Sequence, residues 1–421
     1  MPQDLRTQMR LRPAPLAGSW LRGLKPGHKL VWHTTGIEAG EALLQAIDAA
    51  QVTIDAQLYI LEADTVSQRV VAALVRARQR GVRVRLLLDG LGCSDCDSEH
   101  LGQLVAAGAA VRVYKPLRWS VPWKHWIRRN HRKLFLFDHD SAIVGGRNVG
   151  AHYLALGEPD TTWLDLSAQV RGPVVITLAR QLNHDWHTAG HKRTSIGWLR
   201  WLDGVAPSAD LLAAQRASQA VSNHAWPSPP LRSPHRGGTK LAAAISQGKA
   251  RSNPIAEHYV QAVRQARATI WLVHAYFLPD HKLTTALVKA VARGVQVCVL
   301  LPDLRTTDVK LVSLASLHGL DRLMRAGVQV RLNTVQNLHA KFAVIDNVWW
   351  TVGSANLDPL SRKRNLEANL VGHGREPGHT LATLARNWFA QAQPWDEDQA
   401  RKRPLWLRLL GRLAWRFRAL L

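Results

Sequence analysis

Two segments, "NHRKLFLFDHDSAIVGGRN" from Asn130 and "NLHAKFAVIDNVWWTVGSAN" from Asn337, constrain the fold of this chain more than any other feature. His131, Lys133, Asp138, Gly145 and Asn148 of the first correspond to His339, Lys341, Asp346, Gly353 and Asn356 of the second, with an offset of 208 residues at every position. The apolar neighbours differ between the copies, whereas these five do not, and packing alone gives no reason to retain polar groups. Positions i and i+2 of a strand project to the same side, so each histidine points with its lysine.

The duplication extends further. "VTIDAQLYIL" (52–61) is echoed by "ATIWLVHAYFL" (268–278), "ALVRARQRGVRVRLLLDG" (73–90) by "ALVKAVARGVQVCVLLPD" (286–303), and "LVAAGAAVRVY" (104–114) by "LMRAGVQVRLN" (323–333). Helical periodicity alternating with Val, Ile and Leu runs predicts an α/β chain of two similar halves with largely buried mixed sheets flanked by helices. The halves are expected at 30–205 and 245–395. A Pro, Ser and Gly-rich connection (206–244) lies between them, and a basic segment follows (396–421).

The 55 Lys and Arg residues outnumber the 31 Asp and Glu, for a formal charge of +24. Such a field favours a polyanionic partner, either nucleic acid or an anionic lipid surface. Seventeen Trp residues lean toward a membrane interface, although indoles also stack on bases. Three cysteines cannot build a disulfide framework, and Cys93 with Cys96 is a lone C-x-x-C without a second ligand pair. The first twenty residues carry no apolar core of a signal peptide, and no stretch approaches the roughly 18 apolar residues of a span. The chain is therefore expected to be soluble, or to sit on a membrane without crossing it.

The pattern H-x-K-x4-D-x6-G-[GS]-x-N, present twice, resembles the signature of the phospholipase D superfamily. The chain is most similar to the short bacterial cardiolipin synthases, which lack an N-terminal transmembrane pair. That resemblance implies one metal-free, cofactor-free site between the halves and a phosphohistidine intermediate. It implies His131 as nucleophile, His339 as general acid and base, and Lys133, Lys341, Asn148 and Asn356 on the phosphoryl oxygens. Glu367 and Asp165 are the expected acceptors that orient the imidazoles, and Ser354, which replaces Gly146 of the first copy, is an expected extra phosphate contact. Phosphatidylglycerol is the implied substrate and an anionic membrane surface the implied partner, on the cytoplasmic side of the inner membrane. A phospholipase D hydrolase or a nuclease stays open as the alternative, without an obligatory nucleic acid.

Asp138 and Asp346 fall at strand-ending turns and read as structural. Gly145 and Gly353 are expected to let backbone approach the phosphate. Basic stretches with Trp119, Trp123 and Trp126, and with Trp198 and Trp201, are candidates for lipid contact. After Pro404, residues Trp406, Leu410, Leu413, Phe417 and Leu420 recur on one helical face, with Arg408, Arg412 and Arg416 in a separate stripe. This predicts a cationic interfacial helix, or alternatively a helix packed on the domain with its arginines outward.

Overall fold

Each strand of the first repeat has a counterpart in the second, and all of them join one sheet. The computed structural model describes residues 21, 23–116, 127–157, 160–190, 238–248 and 253–420. In the first half the strands are β1 (Lys25–His33), β2 (Thr53–Leu58), β3 (Arg83–Asp89), β4 (Ala110–Tyr114), β5 (Leu134–Phe137), β6 (Ser141–Gly145) and β7 (Ser167–Arg171). In the second they are β8 (Thr239–Gln247), β9 (Thr269–His274), β10 (Gln296–Pro302), β11 (Gln329–Asn333), β12 (Lys341–Ile345), β13 (Trp349–Gly353) and β14 (Leu366–His373), with a short β15 (Gln393–Trp395). The order β4-β3-β2-β5-β6-β7-β1 of the first half is repeated as β11-β10-β9-β12-β13-β14-β8, and β15 adds to the β11 edge.

The halves join where β1 and β8 run antiparallel, with His28 opposite Thr239. This seam makes the sheet continuous and relates the repeats by an approximate two-fold axis. Both seam strands begin a few residues before the half boundaries expected at 30 and 245. Pro26 and Gly27 read locally as loop, while the pairing of Lys25 with Leu241 and of His28 with Thr239 on either side carries the strand through them.

Burial on both faces explains the apolar runs. In β5, Leu134 and Leu136 enter a core shared by the two halves, while Phe135 and Phe137 enter the first half's own core. The shared core also takes Phe342 and Val344 of β12, and it is covered by the helices Val174–Gly190 and Arg375–Gln391. The outer cores lie under shorter helices with sequence-encoded starts. Gly36–Ala49 begins at a Thr35–Glu38 capping box, and His281–Ala292 at an Asp280 cap.

The C-terminal segment forms the helices Glu397–Lys402 and Leu405–Arg416. The second packs its small face, Gly411 and Ala414, on the helix Lys310–Gly319, with Trp415 against Gly319. Its apolar residues point the other way: Trp406 is 64% exposed and Leu413 53%. The helix is thus both packed and amphipathic, because glycine and alanine supply the contact and leave the Leu and Trp stripe outward.

Candidate active site

The motif histidines lie where each half's chain crosses to the other. Just before β5, Asn130 pairs in parallel with Leu366; just before β12, Leu338 pairs in parallel with Leu164. His131 N–H donates to Leu366 O at 3.0 Å, and His339 N–H donates to Leu164 O at 2.8 Å. The residues after Leu366 and Leu164 are Glu367 and Asp165. The register therefore delivers each half's carboxylate to the other half's imidazole. Glu367 lies 3.1 Å from His131 Nδ1, and Asp165 Oδ2 lies 2.6 Å from His339 Nδ1.

A carboxylate at Nδ1 keeps the proton there and leaves the Nε2 lone pair available, which is the tautomer that attack or proton uptake requires. Among the described residues, neither Nε2 has a hydrogen-bond partner. Tyr59 packs edge-on to His131 at 4.7 Å between centroids, and Tyr153 and Trp163 flank His339 at 5.3 and 5.7 Å. Lys133 Nζ donates to His131 O at 2.9 Å and sits 4.8 Å from the centre of the Tyr59 ring. Lys341 Nζ likewise donates to His339 O. All nine residues singled out from the sequence are buried, and all gather at this crossing.

Burial governs the electrostatics. It holds His131 below its usual value, with Lys133 acting in the same direction and Glu367 against, and it takes His339 down to about 4, with Lys341 acting likewise. Burial lowers Lys341 to about 8, and burial with the neighbouring Lys341 brings Lys133 well below the ordinary lysine range. Burial pushes Glu367 and Asp165 upward. The partner imidazole and nearby cations more than offset this, so both carboxyls end below their ordinary values. Glu367 and Asp165 bond the two imidazoles, and Asp89, Asp308 and Asp358 add their fields at the lysines.

Ser354 differs from its expected role. Its hydroxyl donates to Glu367 Oε2 at 2.5 Å and accepts from Ala368 N–H at 3.1 Å, so it grips the carboxylate. Ser361 donates to the other oxygen of Glu367 at 2.8 Å. Gly146 has no hydroxyl because there is no room for one: a Cβ there would fall on the Asp165 carboxylate. Gly145 and Gly353 are also tightly enclosed. A Cβ at either would strike the neighbouring strand, at Leu166 O or Ala368 O, so they serve close strand pairing.

Asn148 accepts from Ile60 N–H at 3.2 Å through Oδ1, and its amide is buried beside the Tyr153 hydroxyl. Asn356 donates its backbone N–H to Ser361 Oγ at 3.2 Å. Asp138 and Asp346 are structural, through long-range contacts as well as turn chemistry. Asp138 accepts three N–H bonds from Gln51, Val52 and Thr53, and Asp346 three from Arg267, Ala268 and Thr269. Both adopt positive φ, 51° and 54°.

Sequence reasoning missed Arg132 and Arg147. Arg132, fully buried, donates to Glu367 O at 3.2 Å, to Ser246 O at 2.8 Å and to the Asp185 carboxylate, which ties the halves together beneath the site. Its counterpart is Ala340, so the duplication gave no signal. Arg147 donates to the carbonyls of Asp165 and Tyr153, both at 2.7 Å. The tryptophans at 119, 123, 126, 198 and 201 lie outside the described residues.

The family model "Cardiolipin synthase, PLD-like domain" matches residues 43–184 and 259–393, one match around each histidine. The chain is 30% identical to cardiolipin synthase B of Salmonella typhi over 402 residues, covering 94% of this chain and 89% of that one. The chain belongs to the phospholipase D-like cardiolipin synthase family. Against cardiolipin synthase B of Escherichia coli K12 the identity is 30%, with 93% and 88% covered. Against a cardiolipin synthase of Geobacillus thermodenitrificans it is 29%, with 90% and 69% covered. A phosphatidylserine synthase from Haemophilus influenzae Rd KW20 superposes with a TM-score of 0.72 at 14% identity, covering 96% of this chain and 98% of that one, which establishes the shared fold.

Proposed function

We propose that this phosphatidyltransferase makes cardiolipin from phosphatidylglycerol and a second phospholipid. The observation that carries the reading is the exchanged pairing of His131 with Glu367 and His339 with Asp165, which prepares two Nε2 atoms in one buried site. His131 Nε2 attacks phosphorus and the bond to the glycerol oxygen breaks, while His339 gives a proton to that oxygen. An acceptor hydroxyl then loses its proton to His339 and attacks phosphorus, and the phosphorus–nitrogen bond breaks. The phosphoryl bond energy is kept in the intermediate, so no nucleotide is consumed.

For His339 to donate, it must be protonated in the complex although it is neutral near pH 7 in the free site. A phosphodiester anion adds negative charge beside the imidazoles and lysines, which raises both imidazoles and favours the charged form of Lys133 and Lys341. Substrate binding thus charges its own acid. The amide of Asn148, beside Tyr153, offers a further donor. The assignment of His131 as nucleophile rests on the resemblance, since the two pairs are chemically alike.

The substrate also sets the location we propose, peripheral on an anionic membrane at its cytoplasmic side. The outward Leu and Trp stripe of Leu405–Arg416 supports this, and among the described residues no helix is long and apolar enough to cross a bilayer. The deciding experiment incubates purified protein with phosphatidylglycerol vesicles, and separately with single-stranded oligonucleotide, without added metal. Cardiolipin and free glycerol are expected. Oligonucleotide shortening with neither cardiolipin nor phosphatidic acid would overturn the lipid reading.

A further inference from the structure

The site above occupies the crossing of the two halves, yet a second concentration of positive charge lies apart from it. Beside the small-residue contact of the C-terminal helix is a cavity of about 470 Å³, which none of the nine active-site residues lines. That size falls within the roughly 300–1,000 Å³ of small-ligand sites. Arg325, Arg401, Arg403, Arg408 and Arg412 line it, against only Asp321 and Glu397, and Glu397 is already paired with Arg401 at 3.2 Å.

Arg403 makes the imbalance specific. Its Nε and Nη2 are buried and have no hydrogen-bond partner, and its guanidinium rests 5.6 Å from the centre of the Trp395 ring. Asp303, the acid whose field reaches it, is bonded to Arg305 at 2.7 Å. Leaving a partly buried cation without a counter-charge is costly, and the arginines around it add repulsion. An oxyanion in the cavity removes both costs.

We infer that this cavity is a non-catalytic site for the phosphodiester headgroup of an anionic phospholipid. Two features favour a lipid over a free anion. Leu405 and Leu409, which line the cavity, are 66% and 57% exposed, so its rim continues into the apolar stripe that would meet acyl chains. Arg408 and Arg412 alternate with that stripe on one helix, which is the arrangement for a helix lying at the headgroup level of an anionic surface. The headgroup site would then fix how the helix is seated, and it rests on the reading that this protein works at a bilayer.

The test compares binding to phosphatidylcholine vesicles with and without phosphatidylglycerol, for the full chain and for Arg403→Gln/Arg408→Gln/Arg412→Gln. The control, Arg264→Gln/Arg375→Gln/Arg386→Gln, removes equal charge from exposed positions elsewhere. The wild type and control are expected to prefer phosphatidylglycerol at least tenfold, and the cavity variant to lose that preference. Turnover of bis(p-nitrophenyl) phosphate, which needs no vesicle, should be unchanged and shows that the variant is folded. Equal loss in variant and control would reduce the effect to bulk charge and overturn the site, as would full preference in the variant. Hydrogen-exchange protection of residues 397–412 by inorganic phosphate, with no difference between the two vesicles, would also overturn the lipid assignment. Failure to make cardiolipin would count against the proposed reaction, whereas the vesicle preference is read without turnover.

Discussion

His131 Nδ1 lies 3.1 Å from the carboxylate of Glu367, a residue 236 positions further along the chain and in the other repeat. The two histidines can be separated by leaving group. With bis(p-nitrophenyl) phosphate, whose p-nitrophenolate leaves without a proton, His339→Ala should keep a burst of product and then stall, while His131→Ala should give no burst. Rapid-quench measurement reads this directly; a burst in His131→Ala only would reverse the roles.

Glu367→Gln preserves the shape of the acceptor but misorients the His131 tautomer, and a fall in kcat of about 10³- to 10⁴-fold is expected, as for analogous triad carboxylates. Phosphoenzyme trapping should show that formation of the intermediate is the step lost.

Residues 146 and 354 should not tolerate exchange equally. Gly146→Ser drives a side chain into the Asp165 carboxylate, whereas Ser354→Gly removes one of two hydroxyls holding Glu367. Loss of one such charge-assisted bond is worth about 1.5–3 kcal/mol, roughly 10- to 150-fold in rate. Gly146→Ser should cost more, and steady-state kinetics of the pair checks the order.

Arg132→Met should act mainly on stability. It strips a buried cation from Asp185 and frees two carbonyls of the second half, for a loss of about 3–5 kcal/mol typical of breaking a buried pair. The midpoint of urea unfolding measures it, and Arg132→Met/Asp185→Asn should recover part of the loss.

The pH profile follows from Lys341. Its pKa is lowered to about 8 and it must be charged to hold phosphoryl oxygens, so its cationic fraction falls as pH rises through that value. kcat/KM, which reports the free enzyme, should therefore decline above about pH 8. Lys341→Arg remains charged there and should move this limb upward at a lower overall rate.

Much of this was legible in the sequence because it was written twice. The likeness of the two α/β halves follows from three echoed segments, and His, Lys and Asn stood out as polar residues kept where their apolar neighbours varied. What escaped were features present once. Arg132 faces Ala340, and Tyr59 aligns with no aromatic of β9, so comparing the copies could not mark them. The carboxylates were found, but not their exchange: Asp165 follows His131 in sequence, and only the pairing of Leu164 with Leu338 shows that it serves His339. The grip of Ser354 on Glu367 and the strand contacts at Gly145 and Gly353 were not legible, because a spacing rule does not record which groups are spent on a neighbour.

The β1–β8 seam makes the chain, in effect, a dimer with itself. A cut anywhere between 190 and 238 would give an amino-terminal piece with His131 and Asp165 and a carboxy-terminal piece with His339 and Glu367. Neither fragment would own a complete histidine–carboxylate couple, and mixing would restore both at once. Covalent linkage also frees the copies from having to be identical. One repeat can acquire Arg132 as a cross-tie and the other a serine behind its carboxylate, specialisations that a symmetric pair of separate subunits would have to carry on both sides.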